Sequence, residues 1–344
     1  MSGSSAAPML DVRAASSIFA AANGRTIVLV GDLMLDEWII GTTTRISPEA
    51  PVPVVRLRER RTAPGAGANV AMNLLKMGAR VRVVGVVGND WAGEELGREL
   101  EEAGADVSGL LRDDTRPTIL KTRIVAQSQQ QHQQMVRVDR ESEAPFQRSV
   151  IEALRGHLHT SLAGATALCI SDYDKGLATS GVLGSTIQEA LKLGLRVAGG
   201  PKPPNLAYFR GADFVSLNQY EASEAAGVRL DSEDVVESAG EALRQQLEVR
   251  SLVITFSSRG ARLFEEGKPS HFLRNHEVEV FDGTGAGDTF LAGTTIGLAG
   301  GANFGQASEL GNLAGAASVR HTGVVAVTPE EVLRVAEEPL PSTQ

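Results

Sequence analysis

Val81-Arg82-Val83-Val84-Gly85-Val86-Val87 runs as a short apolar strand into the helix-length amphipathic segment Trp91–Ala103. A run this rich in valine suits a strand covered on both faces, and the segment after it has the length and pattern of a covering helix. The same alternation recurs outward in both directions. Thr26–Gly31 reads as a strand and Gly67–Met77 as a helix, while Thr166–Ser171, Leu195–Ala198, Phe214–Leu217 and Leu252–Phe256 read as strands, each joined to a helical segment. Strand and helix in strict turn predict an α/β fold with a mostly parallel central sheet and helices on both faces.

Two segments interrupt the rhythm. Ile46–Leu57 sets three prolines among valines, which suits an edge ribbon and not a central strand. Ile119–Val138 alternates on both sides of the glutamine tract Gln127-Ser128-Gln129-Gln130-Gln131-His132-Gln133-Gln134, which we read as a solvated β-ribbon and not a low-complexity loop. The two ribbons, at about 42–57 and 119–139, predict a small β lid on a domain spanning residues 24–338, between an unstructured leader at 1–23 and a tail at 339–344.

Composition narrows the function. Of 344 residues, 42% are hydrophobic and 22% charged, which is enough for a large soluble core. A formal charge of −9 disfavours general affinity for nucleic acid or anionic membrane, although a local pocket can still be positive. Cys169 is the only cysteine, so neither an intrachain disulfide nor a cysteine zinc site can form; its apolar setting suits an inert buried thiol. Met1–Pro8 lacks the basic and apolar regions of a signal peptide, and no apolar stretch is long enough for a membrane span, so a cytoplasmic protein is expected.

The chemistry concentrates late, at Asp282-Gly283-Thr284-Gly285-Ala286-Gly287-Asp288-Thr289, ahead of the helical pattern Phe290–Leu298. Gly285, Ala286 and Gly287 at a helix start leave backbone N–H groups bare, and the helix dipole makes them an anion hole. Asp288 falls in the first turn beside that hole, where a carboxylate could take a proton from an attacking hydroxyl during phosphoryl transfer. The same residues also read as an ordinary glycine-rich helix entry with a dipole-favoured aspartate. There is no Gly-Lys-Ser/Thr for a P-loop, and no G-x-G-x-x-G follows the opening strand.

Asp-x-Thr-Gly-Ala-Gly-Asp late in the chain resembles the signature of the ribokinase-like (PfkB) carbohydrate kinases. So do Gly31-Asp32-Leu33-Met34-Leu35-Asp36 at the end of the first strand, Gly65-Ala66-Gly67-Ala68-Asn69-Val70-Ala71 at the first long helix, and Asn218-Gln219-Tyr220-Glu221 after a later strand. Arg45–Val54, Arg116-Pro117-Thr118 with Lys121 and Arg123, and Ser171-Asp172-Tyr173 with Lys175-Gly176 resemble the heptose 7-phosphate kinases of that family. The likeness extends from about Arg25 to Glu331.

This resemblance implies ATP-dependent transfer to a sugar hydroxyl, with Mg²⁺ and a monovalent cation such as K⁺. It implies Asp288 as base, Gly285, Ala286 and Gly287 as anion hole, and Asp36, Gly65 and Asn69 around the acceptor's hydroxyls. Asn218 and Glu221, with Gln219 and Tyr220 between them, correspond to the motif that organises Mg²⁺ and the ATP phosphates; the same spacing is also a helix capping box. Asp282 and Thr284 correspond to the monovalent-cation position, Thr255 and Gly260 to the nucleotide-binding strand and turn, and Asn312 to an adenine-side residue. Lys121 and Arg123 on the lid are candidates for the substrate's own phosphate.

Expected partners are therefore a sugar phosphate and ATP, with neither nucleic acid nor membrane, and a homodimer paired through the lid as in relatives. Ala66, Gly200, Ser257 and Gly283 depart from the family's usual residues, which leaves open a different sugar or nucleoside as acceptor, or a ligand-binding homologue without turnover. No His-x-Gly-His motif is present, so a kinase without a fused nucleotidyltransferase is expected.

Overall fold

The computed structural model describes residues 10–127, 132–273, 276 and 278–338. In chain order the elements are α1 (Val12–Ala22), β1 (Thr26–Gly31), β2 (Leu33–Ile46), β3 (Pro53–Ala66), α2 (Gly67–Lys76), β4 (Arg80–Gly88), α3 (Trp91–Glu102) and β5 (Asp106–Asp113). They continue with β6 (Ile119–Gln127), β7 (His132–Arg140), α4 (Arg148–Leu162), β8 (Ala167–Ser171), α5 (Ser185–Lys192), β9 (Arg196–Gly200) and β10 (Phe214–Asn218). The last third holds α6 (Gln219–Ala226), α7 (Glu233–Leu247), β11 (Ser251–Thr255), β12 (Ala261–Glu265), β13 (His271–Leu273), α8 (Ala286–Ala299), α9 (Phe304–Ser318) and α10 (Pro329–Ala336).

The main sheet has nine strands in the order β13-β12-β11-β10-β9-β8-β1-β4-β5, all running the same way except β12, which pairs antiparallel with β11 and β13 at one edge. The side chains of β1 show why its apolar run is unbroken. Ile27 and Leu29 pack into one core with Leu74, Leu96, Ile296 and Leu310, whereas Val28 and Val30 pack into a second with Leu154, Leu158, Ile187 and Leu243. From β1 the chain proceeds to β4 on one side and later to β8 on the other. That reversal opens a crevice at the carboxyl ends of β1 and β8, where open α/β sheets bind their ligands. Among the described residues no helix is long and apolar enough to cross a membrane.

The lid is a four-stranded sheet, β3-β2-β6-β7, and it is larger than the ribbons expected at 42–57 and 119–139. Gly31–Asp36 does not end one strand. Asp32 separates β1 from β2, which then runs to Ile46 in the second sheet. The base of β2 gave no alternation to read because it is covered on both sides, with Leu33 and Leu35 in the main core and Met34 against Ala66, Ile119 and Tyr173. The prolines obey the edge rule: Pro48 and Pro51 lie in the turn, and Pro53 opens the edge strand β3. Of the glutamine tract, Gln127, Gln133 and Gln134 pair within β6 and β7, while residues 128–131 lie outside the described residues. Ile46, Val52, Leu57, Val136 and Val138 leave an exposed apolar surface on the lid.

Residues 12–22, assigned above to a leader, form α1 instead. The Asp11 side chain caps the helix by accepting from Ala14 N at 2.7 Å, and Ala15, Ile18, Phe19 and Ala22 bury one face at helical spacing. Residues 1–9 and the expected tail at 339–344 lie outside the described residues.

Two of the four departures occupy left-handed backbone. Ala66, the residue before α2, has φ 51° and ψ −126°, and Ser257 has φ 53°. Holding a side chain at such an angle costs roughly 1–3 kcal/mol. Ala66→Gly should relieve that strain, less about 0.4–1 kcal/mol for the freer unfolded chain. A net gain of about 1 kcal/mol is expected, seen as a higher urea midpoint at unchanged slope; an unchanged midpoint would show that Ala66 is not strained.

Candidate active site

Pieces far apart in sequence meet at the crevice. The carboxyl ends of β8 to β11 and the start of α8 enclose a cleft of about 240 Å³, lined by Tyr173, Lys202, Asn218, Glu221, Thr255, Gly285, Gly287 and Asp288 among others. Gly285 is the N-cap of α8 with φ 81°, and its cap position has no side-chain hydrogen bond; Gly285 and Gly287 line the cleft, while Ala286 N donates to Gly283 O at 3.3 Å. A Cβ on Gly285 would stand 2.8 Å from Asn69 Nδ2, whereas one on Gly287 would meet nothing within 4 Å.

Asp288 is buried and held by two donors. Asn69 Nδ2 donates to Oδ2 at 3.0 Å and Tyr173 Oη donates to Oδ1 at 2.7 Å. Asn69 is itself oriented, since Asn73 Nδ2 donates to its Oδ1 at 3.1 Å and Asn73 Oδ1 accepts from Val327 N at 3.2 Å. Burial pushes the Asp288 carboxyl up to about 6; the hydrogen bonds from Asn69 and Tyr173 and the charge of Lys202 oppose that rise, and the Asp36 carboxylate adds to it. Such a carboxylate is ionised at neutral pH yet basic enough to take a proton. Burial, followed by the charge of Asp288, holds the Tyr173 hydroxyl well above its ordinary pKa, so it stays a donor. Tyr173→Phe removes one of the two donors stabilising the carboxylate. The acid limb of kcat/KM should therefore move to higher pH, and a limb that stays in place would show that the hydroxyl does not reach the base.

The lid supplies the opposite wall. Asp36 is buried on β2, and Arg123 Nη1 donates to its Oδ1 at 2.5 Å, with the guanidinium 5.1 Å from the centre of the Trp38 ring. Gly65 pairs with Met34 on the neighbouring strand, and a Cβ there would stand 2.5 Å from Asp36 Oδ2, so a larger residue would push the carboxylate out of place. Lys121 pairs in register with Asp36 and lies 3.8 Å from Asp139. Asp36, Gly65, Asn69 and Arg123 thus gather near the base. Arg123 is already engaged by Asp36, so any anion it meets must share it.

Asn218 and Glu221 form a complete capping box on α6: Glu221 N donates to Asn218 Oδ1 at 2.9 Å and Asn218 N to Glu221 Oε2 at 2.8 Å. The other oxygen, Oε1, accepts from Lys202 Nζ at 2.5 Å. With these atoms engaged the pair suits a metal held through water, and among the described residues no three His, Cys, Asp or Glu side chains converge on a metal position. Asp282 accepts from Thr284 N, Thr284 Oγ1 and Gly323 N, and so ties the loop before α8 to the segment after α9.

The remaining candidates divide. Thr255 lines the cleft. Gly260, with φ 100°, closes the β11–β12 turn, and Asn312 is buried on α9; neither lines the cleft. Tyr220 is 86% exposed, and the Gln219 side chain bonds Leu230 O and Arg259, so both point away.

Tyr173 and Lys202 line the cleft; the sequence marked Ser171-Asp172-Tyr173, and Gly200-Pro201-Lys202 in place of Asp-Pro-Lys, only as likenesses to the heptose 7-phosphate kinases, with no site role for either residue. Each follows the end of a strand as a single polar residue, which no periodicity marks. Their positions rest on two buried carboxylates. Asp32 accepts from Tyr173 N at 2.8 Å and Lys175 N at 3.1 Å, and its carboxyl is raised to about 6 by burial. Asp172 accepts from Lys202 N at 2.8 Å and from Asn205 Nδ2, so the loop after Gly200 is held by a carboxylate even though residue 200 carries none.

Residues 25–331 match the pfkB family carbohydrate kinases. The bifunctional protein HldE of Helicobacter hepaticus is 37% identical over 308 residues, covering 90% of this chain and 63% of its own length. The HldE of Geobacter sulfurreducens is 37% identical over 321 residues, covering 92% of this chain and 64% of its own length. The chain thus spans a little under two thirds of these relatives. Phosphofructokinase-2 from Escherichia coli superposes with a TM-score of 0.74 at 19% identity, covering 91% of this chain and 98% of that one, which shows the shared ribokinase-like fold. This chain belongs to the pfkB family of carbohydrate kinases.

Proposed function

We propose that the chain transfers the γ-phosphoryl group of ATP to the anomeric hydroxyl of D-glycero-D-manno-heptose 7-phosphate, giving the 1,7-bisphosphate for ADP-heptose and lipopolysaccharide core synthesis. The kinase reading rests above all on Asp288, a buried carboxylate with two fixed donors at the mouth of α8. The heptose acceptor is supported by the HldE relatives and by the Arg116-Pro117-Thr118, Lys121 and Arg123 pattern on the lid.

In this mechanism the acceptor hydroxyl gives its proton to Asp288 as its oxygen bonds the γ-phosphorus, and the bond to the β-phosphate oxygen breaks to release ADP. The amides of Gly285, Ala286 and Gly287 stabilise charge on the transferring group. Asp36 and Asn69 orient the sugar, and Lys121 with Arg123 meets its phosphate. Asn218 and Glu221 would hold Mg²⁺ through water, which when bound neutralises phosphate charge. Asp282 and Thr284 would shape the turn for a monovalent cation such as K⁺, while Thr255, Gly260 and Asn312 would border the nucleotide. Coupled detection of ADP across a panel of sugars and sugar phosphates tests the reading. The highest kcat/KM is expected for the heptose 7-phosphate, and a higher value for another sugar would reassign the acceptor.

The exposed apolar residues of the lid support pairing of two chains through this sheet. Light scattering at micromolar protein should give twice the 36.3 kDa chain mass. A monomer mass would remove the lid interface.

A further inference from the structure

Among the described residues lining the cleft, Lys202 is the only cation, and it shares the space with Asp172, Glu221 and Asp288. Its ammonium has three donors on a flexible stem, yet Glu221 Oε1 is its only hydrogen-bond acceptor among the described residues. The stem base is fixed, because Pro201 precedes it and Lys202 N is bound to Asp172. Nζ lies 4.8 Å from the centre of the Tyr173 ring, whose hydroxyl donates to Asp288, so the ammonium is placed by the same side chain that holds the base.

Helix capping does not explain the contact with Glu221. The capping box is complete through Asn218 and the other carboxylate oxygen, and an ion pair whose lysine is about a third exposed adds little to stability. A cleft that presents three carboxylates is also a poor host for a triphosphate unless a cation can be turned toward it. The amides of α8 line one part of this cleft and Lys202 another, which is how donors must be spread to meet charge on several oxygens of a transferring phosphoryl group.

We infer that Lys202 is a catalytic cation: its ammonium leaves Glu221 for the γ-phosphate oxygens when nucleotide enters, and frees Glu221 for metal-bound water. The assignment rests on the kinase reading above and adds a residue and a nucleotide-dependent exchange to it. No bond is made or broken by Lys202, which stays protonated throughout.

The test compares the wild-type protein with Lys202→Met and Lys202→Arg. Calorimetry with Mg²⁺ and a non-hydrolysable ATP analogue should give a Kd about tenfold weaker in Lys202→Met, with the Kd for ADP within about twofold, because only the γ-phosphate loses its partner. With acceptor present, kcat should fall about 10²–10³-fold. The acid limb of the pH profile should move up in Lys202→Met and return in Lys202→Arg. Asn69 on α2, Tyr173 after β8, Asp36 on β2 and Cys169 on β8 also face or influence Asp288, and all are unchanged in both variants. The capping box does not use Lys202, so the fold should hold; the thermal midpoint checks this, and Lys202→Gln carries the same comparison if Lys202→Met is lost. Equal preference for the analogue over ADP in wild type and variant, with wild-type kcat, would overturn the assignment. Failure of the kinase reading is separate, since it would appear in the wild-type protein as no ADP release with any acceptor.

Discussion

Asp288→Asn should lower kcat about 10³-fold, within the range for losing a positioned general base, while the Kd for ATP changes little. Asparagine keeps the size and one acceptor oxygen of the carboxylate but cannot take a proton. Its amide oxygen can still receive Asn69 Nδ2, and its NH₂ can donate to Tyr173 Oη if that hydroxyl rotates from donor to acceptor. The site should therefore stay assembled and be silent. The wild-type profile supplies the matching pH test. Burial sets the Asp288 carboxyl at about 6, so kcat/KM should fall toward tenfold per pH unit below that value, as the base becomes protonated, and level off above it. Near wild-type turnover in Asp288→Asn would take the residue out of the reaction.

The second large effect comes from a single methyl group. Gly285→Ala should cut kcat about 10²-fold, comparable to losing an oxyanion donor, and destabilise the fold by about 1–2 kcal/mol for the left-handed backbone. The new Cβ would stand 2.8 Å from Asn69 Nδ2, and Asn69 cannot yield freely because Asn73 and Asp288 both hold it. The clash is thus passed directly to the base. Gly287→Ala is the control, since its Cβ meets nothing within 4 Å and its backbone is not left-handed. Its urea midpoint should be no lower than that of the wild type, and its stability higher by up to about 0.4–1 kcal/mol because alanine stiffens the unfolded chain. Equal midpoints and equal kcat for Gly285→Ala and the wild type would refute the coupling.

The central sheet was legible because strands such as β1 and β4 are buried on both faces and therefore spell unbroken apolar runs. The start of α8 was legible because an anion hole needs small residues and a base needs a carboxylate beside them. What hid the rest is specific. The base of β2 is buried like a core strand, so nothing in Leu33–Ile40 announced a second sheet. The Asp11 cap and the apolar spacing of α1 were present but lay next to a small, polar terminus. Tyr173 and Lys202 each gain their meaning from a partner far along the chain, at Asp288 and Glu221 respectively, and no local pattern encodes such a meeting. In the opposite sense, the Asn-x-x-Glu motif carried Gln219 and Tyr220 into the candidate site because they lie between its ends, but on a helix the intervening positions face elsewhere.

The two joints between the core and the β2–β3 hairpin of the lid also bear on how the protein could be engineered. β2 starts one residue after β1, and β3 passes into α2 without a spacer, so the chain has no slack at Asp32 or Ala66. A peptide spliced in at either joint would slide Asp36 against Gly65, or carry Asn69 off Asp288, by whole residue steps. The tip at residues 47–52 lies at the far end of the same hairpin, joined to the core only through paired strands. A reporter or affinity handle grafted there would leave the catalytic hydrogen bonds in register.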